Sequence, residues 1–412
     1  MKALVLSSTY PDPTRPTHGV FVHRRVSALA DRPEVLSVYV IAPTPWFRKE
    51  RKDVPMNEER DGLIVEHPTF WYVPRFLKRF DGWFLYRSAR ATARRLANAE
   101  PDLIDAHFAW PDAYAAVLLG RDLGLPVVVT LRGTLVWLFD DAPRRRKMAW
   151  ALQRADRIVA VSTELADHAV KLGVDRAKIQ VVPNGVDCEQ YTVGDRKAAR
   201  AELGLEPDAT WLVTVGNLSP RKGFQRVIVA LPKLADTNPG LRLAVVGGGG
   251  AEGDNGAELR TLVAKLGLES RVHFAGAQPP ERVASYLSAA DLFVLASSYE
   301  GSPNVVLEAQ ACGRPAVVGE VGEVRAMLPP TCGTIFSPAD DVDALTHALR
   351  TALAADWDEA AIRAHAETQT WDGVADRVLH SWRAAVENHP RTREDAGNPV
   401  PPLTVGQDGN DR

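Results

Sequence analysis

E-G-S-P-N-V-V-L-E-A-Q-A-C-G, running from Glu300 to Gly313, decides how the rest of the chain is read. The apolar run 292–296 before it has the composition of a buried strand in a parallel sheet. A loop over 297–301 follows. Ser302 suits an N-cap and Pro303 the first helical position, while Val305, Val306 and Ala309 give the helix an apolar side. Gly313 is placed to end that helix, and Pro315 prevents its continuation. A strand thus feeds through an acidic loop into a short helix, and in open α/β sheets ligands bind outside such strand ends. The unpaired N–H groups and positive dipole end of the helix suit a phosphate. Glu300 and Glu308 cannot serve the phosphate itself, but carboxylates accept hydroxyl donors. A diphosphate with a sugar at each end has that shape. The spacing alone favours two surface glutamates around an ordinary helix start, since carboxylates eight apart are common, so the remainder of the chain has to arbitrate.

Length and composition set the frame. A chain of 412 residues exceeds one ordinary domain and fits two. With 45% hydrophobic and 25% charged residues the composition is globular. A net charge of −3 makes no global case for nucleic acid or membrane. Cys188, Cys312 and Cys332 are too widely spaced for a metal pattern or a disulfide framework, and suit a reducing cytoplasm. The first apolar run is too short for a signal peptide, and no stretch reaches the roughly 18 apolar residues of a transmembrane helix. A soluble cytoplasmic protein is expected, at most peripheral on the inner face of the cell membrane.

Taken in order, the first half repeats strand, loop and helix, with polar residues gathered at the strand ends. A strand over 3–6 leads through a Pro- and Thr-rich loop to Gly19 and a helix from Val20 carrying His23, Arg24 and Arg25. A glycine at that junction lets a ligand approach the backbone, or is a plain turn glycine. A strand at 103–104 leads to D-A-H-F-A-W-P-D-A-Y, with His107 at its end and Asp112 opening the next helix. Another strand, 127–129, ends in T-L-R-G-T, placing Arg132 at the same edge. Ser162 or Thr163 caps a further helix, and P-N-G-V-D near 183–187 makes a tight turn. A polar connector is expected over 187–208. The pattern then restarts with strand 212–215, G-N-L-S-P-R-K-G and a helix from Phe224, so that Arg221 and Lys222 stand ready for phosphate oxygens. Strand 243–246 runs into Gly247–Gly250, which is not the dinucleotide fingerprint. Two doubly wound Rossmann-like domains facing across a cleft account for the pattern: 1–190, and 208–370. A helix over 371–387 is expected to pack back on the N-terminal domain, with a disordered tail over 388–412.

One stretch stands apart. Phe70, Trp71, Tyr72, Phe76, Phe80, Trp83, Phe84 and Tyr86 interleave with Arg75, Lys78, Arg79 and Arg87, after a basic cluster at Arg48, Lys49, Arg51 and Lys52. Aromatic and basic residues at helical spacing could dock on an anionic membrane, or form a half-buried helix with solvated arginines.

With these motifs in hand, the chain resembles a family 4 retaining glycosyltransferase of the GT-B fold from Met1 to about Glu387. The carrying motifs are S-S-T-Y-P with Gly19, D-A-H-F-A-W-P-D-A, T-L-R-G-T, V-P-N-G-V-D, V-G-N-L-S-P-R-K-G and E-G-S-P-N-V-V-L-E-A-Q-A-C-G-R-P. Their joint order is specific, and the last carries the E-x7-E signature. Within the family the chain is similar to bacterial enzymes of cell-surface and exopolysaccharide assembly.

The resemblance implies a catalytic set of His107, Lys222 and Glu300. His107 would sit across the cleft near the reacting sugar carbon, contacting the sugar's primary hydroxyl or acting as a base. It implies a donor site of Gly19, Asn217, Arg221, Lys222, Gly248, Glu300, the N–H groups of Asn304, Val305 and Val306, and Glu308, with Glu308 on the ribose and Glu300 on the sugar. Arg132 and Asp112 would face the acceptor. The co-substrate would be a nucleoside diphosphate sugar, UDP first and GDP second, with no divalent metal and no nucleic acid partner. The acceptor would be a glycan or lipid-linked precursor. Three departures stand out: Asn217 replaces a usual Arg, Leu135 an acceptor-side carboxylate, and Glu323 and Ala326 the usual Gly and Glu of a later motif. A nucleotide-sugar hydrolase or epimerase, or a non-catalytic nucleotide-sugar-binding protein, are the alternatives. A Rossmann dehydrogenase lacks its G-x-G-x-x-G.

Overall fold

The structure, a computed structural model, describes residues 1–74, 76–250 and 253–389. Arg75 of the aromatic–basic stretch and the predicted disordered tail from 390 lie outside the described residues. Asn388, expected in that tail, is instead the last residue of a helix.

The N-terminal half builds β1 (Lys2–Leu6), β2 (Ser37–Ile41), β3 (Thr44–Pro45), β4 (Asn57–Arg60), β5 (Leu63–Glu66), β6 (Thr69–Phe70), β7 (Leu103–His107), β8 (Val127–Leu131), β9 (Arg157–Ala160) and β10 (Ile179–Val181). Its helices are α1 (Val20–Ala30), α2 (Asp81–Leu96), α3 (Asp112–Leu123), α4 (Thr134–Trp137), α5 (Ala142–Arg154) and α6 (Thr163–Lys171). Eight of the strands form one sheet in the order β10-β9-β8-β7-β1-β2-β5-β4. All its pairs are parallel except β4 against β5. In β1, Leu4 and Leu6 enter one core while Ala3 and Val5 enter the other. Both faces are therefore buried, and the strands read as continuous apolar runs. The edge strand β4 carries N-E-E-R, with no apolar signal by which the sequence could announce it.

The C-terminal half adds α7 (Arg196–Leu203), β11 (Thr210–Val215), α8 (Phe224–Ala230), β12 (Leu241–Val246), α9 (Gly256–Lys265), β13 (Val272–Gly276), α10 (Pro280–Ala289), β14 (Leu292–Leu295), α11 (Asn304–Ala311), β15 (Ala316–Gly319), α12 (Val324–Met327), β16 (Gly333–Phe336), α13 (Val342–Ala354), α14 (Glu359–Glu367) and α15 (Trp371–Asn388). The parallel sheet runs β13-β12-β11-β14-β15-β16. The order reverses between β11 and β14, where a crevice opens at the strand ends. The segment expected as a plain connector contains α7, capped by Asp195, which accepts from Ala198 N at 2.8 Å. Buried Arg200 fastens α7 to this half, donating to Ala289 O at 2.9 Å and Asp291 Oδ2 at 2.6 Å.

After the second sheet the chain returns. Trp371, Val374, Val378, Leu379 and Trp382 of α15 join the core beneath α1 and β1. Trp382 is fully buried, and its indole N–H donates to Asp105 Oδ2 at 3.3 Å. Side chains of that size each contribute roughly 1.5–3 kcal/mol through removed apolar surface. The last helix thus ties the two halves together.

Candidate active site

Glu300 lies in the loop after β14 and is 8% exposed. Lys222 Nζ donates to its Oε1 at 2.7 Å, and Arg221 Nη1 approaches the same oxygen at 3.3 Å. Burial alone would raise the Glu300 carboxyl; the neighbouring Lys222 and Arg221 charges outweigh it and hold the group below its usual range. The two cations reach this point because a turn at Pro220–Lys222 ends at Gly223, with φ +72°. A Cβ there would meet Ala296 O at 1.9 Å, so only glycine lets the turn press against the end of β14. Arg221 also donates to Tyr299 O at 2.5 Å and lies 5.8 Å from the Trp137 ring, which α4 contributes from the other half.

α11 begins at Asn304 with Pro303 as its N-cap, one residue later than the Ser302–Pro303 start expected. Ser302 makes no cap; its hydroxyl points to Met327 Sδ at 3.7 Å. Gly313 follows the helix with φ +72°, as expected. Of the three amides expected to face phosphates, Val306 N is engaged within the turn, donating to Pro303 O at 3.0 Å. Asn304 Oδ1 accepts from Asn184 Nδ2 at 2.8 Å, across the halves. One turn on, Glu308 lines an interdomain pocket with Val20, Phe21, Arg24, Tyr191 and Asn304. Burial raises its carboxyl to about 7, against the opposing Arg24 charge and a hydrogen bond from Tyr191.

On the facing side, Gly19 opens α1 with φ +73°, and a Cβ there would sit 2.6 Å from Thr9 O. The α1 N-terminus therefore stands opposite Asn304 and Glu308, bordered by Val20. The structure places the other three expected residues as follows. His107 is the last residue of β7, has no exposed surface, and its Nδ1 lies 3.5 Å from Arg132 Nη2. Burial first, then the Arg25 and Arg132 charges, push its pKa well below the ordinary histidine value, so the ring is neutral. Arg132 is 4% exposed, donates to Asn184 Oδ1 at 3.0 Å and stacks 4.6 Å from the Phe21 ring. Through Asn184 it is linked to Asn304 of the other half. Asp112 is fully buried, its carboxylate accepting from Ser8 N at 2.5 Å and Ser8 Oγ at 2.8 Å. It anchors the first loop.

The departures also find places. Asn217 is exposed beside the glycine turn, where a Cβ on Gly250 would be 2.7 Å from its Nδ2; Leu218 N donates to Gly248 O at 2.8 Å. Leu135 is fully buried in the N-terminal core, where an acceptor-side carboxylate would have no access. Ala326 is exposed on α12. Glu323 accepts from Thr163 N, capping α6 of the opposite half. Arg24, Asn184 and Tyr191 were not singled out by sequence reasoning. The signal for Arg24 was its helical spacing from Val20 and Phe21; Asn184 and Tyr191 offered none short of the fold. Among the described residues no group of three His, Cys, Asp or Glu side chains is placed to share a metal ion.

Known proteins resemble the chain over both halves. Residues 18–190 match Glycosyltransferase Family 4, and residues 195–369 match Glycosyl transferases group 1. TuaC of Bacillus subtilis, assigned by name to teichuronic acid biosynthesis, is 32% identical over 344 residues, 80% of this chain and 83% of that protein. A D-inositol 3-phosphate glycosyltransferase of Segniliparus rotundus is 31% identical over 299 residues, 69% of this chain and 66% of its own length. The crystal structure of Anabaena Alr3699/HepE in complex with UDP and glucose has the same fold, with a TM-score of 0.72 at 21% identity over 93% of this chain and 99% of that one. Paired Rossmann-like sheets of GT-B type, family matches over both halves and a relative aligned along most of its length converge: the chain belongs to glycosyltransferase family 4 and is a glycosyltransferase.

Proposed function

We propose that the protein transfers a glycosyl group, with retained anomeric configuration, from a nucleoside diphosphate sugar to a hydroxyl of a glycan or lipid-linked acceptor in cell-surface polysaccharide or glycoconjugate assembly. The observation that carries this reading is Glu300 held between Lys222 and Arg221 at the mouth of α11, with Glu308 one turn beyond its start. In this reading Glu308 accepts the ribose hydroxyls and Glu300 those of the sugar. Lys222, Arg221 and the α11 N-terminus take the diphosphate, while α1 closes from the other side at Gly19.

The bond from the anomeric carbon to the phosphate oxygen breaks, and its electron pair leaves with the nucleoside diphosphate. The acceptor oxygen attacks on the face the phosphate vacates, and its proton passes to the departing phosphate. Negative charge grows on that phosphate as the bond lengthens. Fixed cations at a desolvated site stabilise such charge more than that of the ground state. Buried neutral His107 acts here by positioning Arg132. A UDP-sugar is the first donor to try and a GDP-sugar the second. The relatives' names point towards anionic or polyhydroxylated acceptors.

Incubation with a donor panel and crude lipid-linked acceptor, followed by NMR of the product's anomeric proton, tests this. A glycoside with the donor's own configuration is expected. Inverted product would contradict retention, and free sugar formed without acceptor would favour a hydrolase.

A further inference from the structure

Tyr191 lies in the turn that carries the chain from one half to the other. The stretch P-N-G-V-D-C-E-Q-Y, from Pro183 to Tyr191, winds up on the Asp187 carboxylate, which accepts from Glu189 N at 3.0 Å and Gln190 N at 2.9 Å. Tyr191 N donates to Asp187 O at 3.0 Å and closes the turn. Aspartate side chains fold the backbone that follows them in this way. The Tyr191 side chain is buried in the C-terminal core, and its hydroxyl donates to Glu308 in the interdomain pocket.

Two arginines hold this turn, one from each half. Arg363 of α14 gives its guanidinium to backbone carbonyls, donating to Cys188 O at 2.8 Å, Tyr191 O at 2.6 Å and Ala311 O at 2.7 Å. Ala311 is the last residue of α11, the helix that carries Glu308. One clamp thus fastens both the turn and the helix, and Tyr191 and Glu308 keep their relative position. From the N-terminal half, Arg24 of α1 donates to Gln190 Oε1, lies 4.0 Å from Asp187 Oδ2 and 5.8 Å from the Tyr191 ring. Besides Glu308, the ionisable groups facing the phenol are Arg24, Asp187 and Cys312. Burial first, and then the Glu308 charge, push the phenol above its ordinary range, so it keeps its proton and serves as a donor. Burial also pushes the Cys312 thiol up to about 12, so that group carries no charge.

We propose that Tyr191 is a positioning residue of the nucleotide site: its hydroxyl holds one oxygen of the Glu308 carboxylate and leaves the other turned to the ribose. A carboxylate fixed by one donor presents its remaining lone pairs in a set direction, and the same donor favours the ionised form that a ribose hydroxyl needs. Arg363 acts one step further back, by keeping the turn on α11. The inference rests on the reading of Glu308 as ribose acceptor and adds a residue that works through it.

Wild-type protein, Tyr191→Phe, Glu308→Gln and the double variant are to be titrated with UDP and with GDP by calorimetry, between about pH 5.5 and 9. Tyr191→Phe removes the hydroxyl and keeps the ring. Its nucleotide affinity near neutrality should fall about fivefold. The pH at which affinity rises should move upward, and the gap should narrow at the alkaline end, where the carboxylate is ionised in both proteins. In the Glu308→Gln background the same substitution should leave the pH profile where it is. Arg363→Lys cannot span the same carbonyls; it should shift the profile in the same direction, and it serves as the second test should Tyr191→Phe fold poorly. A deficit equal at every pH, a Tyr191→Phe profile that overlays the wild type, or a shift that persists without the Glu308 carboxylate would each overturn the inference. If Glu308→Gln still binds weakly in those cases, the ribose assignment stands. Glu308→Gln with wild-type affinity would overturn that assignment, and this inference with it.

Discussion

Glu308 carries a pH signature. In the free protein burial raises it from an ordinary 4.5 to about 7, against Arg24 and the Tyr191 hydrogen bond, so it is partly protonated near neutrality. A ribose needs the ionised carboxylate as acceptor. Nucleotide affinity should therefore rise as pH climbs through about 7, measured by titration calorimetry. Glu308→Gln should remove that step and leave only the nucleotide's own phosphate titration. Identical pH profiles for the two proteins would remove Glu308 from the site. For stability the sign is opposite. The folded state holds this proton more tightly than the unfolded chain, so the contribution is complete below about 4.5 and is lost as pH rises through about 7. At this scale two strand-end motifs, one carrying Arg221 and Lys222 and the other Glu300 and Glu308, were legible, and the structure brings Lys222 and Arg221 onto Glu300. The burial of His107 and Arg132 was not legible: they contact each other and Arg132 contacts Phe21, far away in sequence, and a position at a strand end says nothing of what later covers it. Asn184 was invisible as a site residue because its partner lies 120 positions on.

Elements position these groups, and their ends are the sensitive points. α1 begins at Gly19 in a left-handed conformation, with Thr9 O where a side chain would go. Gly19→Ala should cost about 1–3 kcal/mol in denaturant unfolding and shift α1 away from Asn304; wild-type stability would show that the first loop yields freely. α15 is the second such element. Trp382→Ala should destabilise by about 3–5 kcal/mol, because it opens a cavity and strips Asp105 of a donor. Near wild-type stability would contradict the account of α15 as the tie between halves. The alternation of apolar runs and helical stretches made most strands and helices readable. β4, with four polar residues on an edge, carried no such pattern, and α7, whose Leu203 and Ala199 pack on the C-terminal core, lay in a stretch read as a polar connector. The start of α11 slipped by one residue because Ser302 satisfies its hydroxyl elsewhere.

In the whole molecule polar contacts join the two halves beside the cleft. Asn184 joins Arg132 to Asn304, and Glu323 caps α6 across the cleft. Glu323 stands where the resemblance implies a glycine, which has no side chain to make the α6 contact. Glu323→Ala should loosen the closed arrangement, seen as a larger radius of gyration in small-angle scattering that saturating nucleotide restores. An unchanged radius would show that the core beneath α15 alone sets the angle. The central claim is that Lys222, paired with Glu300, stabilises a departing nucleoside diphosphate. The most direct measurement is diphosphate release from UDP- and GDP-sugars, with and without lipid-linked acceptor, by wild-type protein and Lys222→Ala. The account predicts release from one donor, accelerated by acceptor, and slowed on the order of a hundredfold in the variant. Equal rates for the two proteins, or no release from any donor by a protein that binds nucleotide, would contradict it.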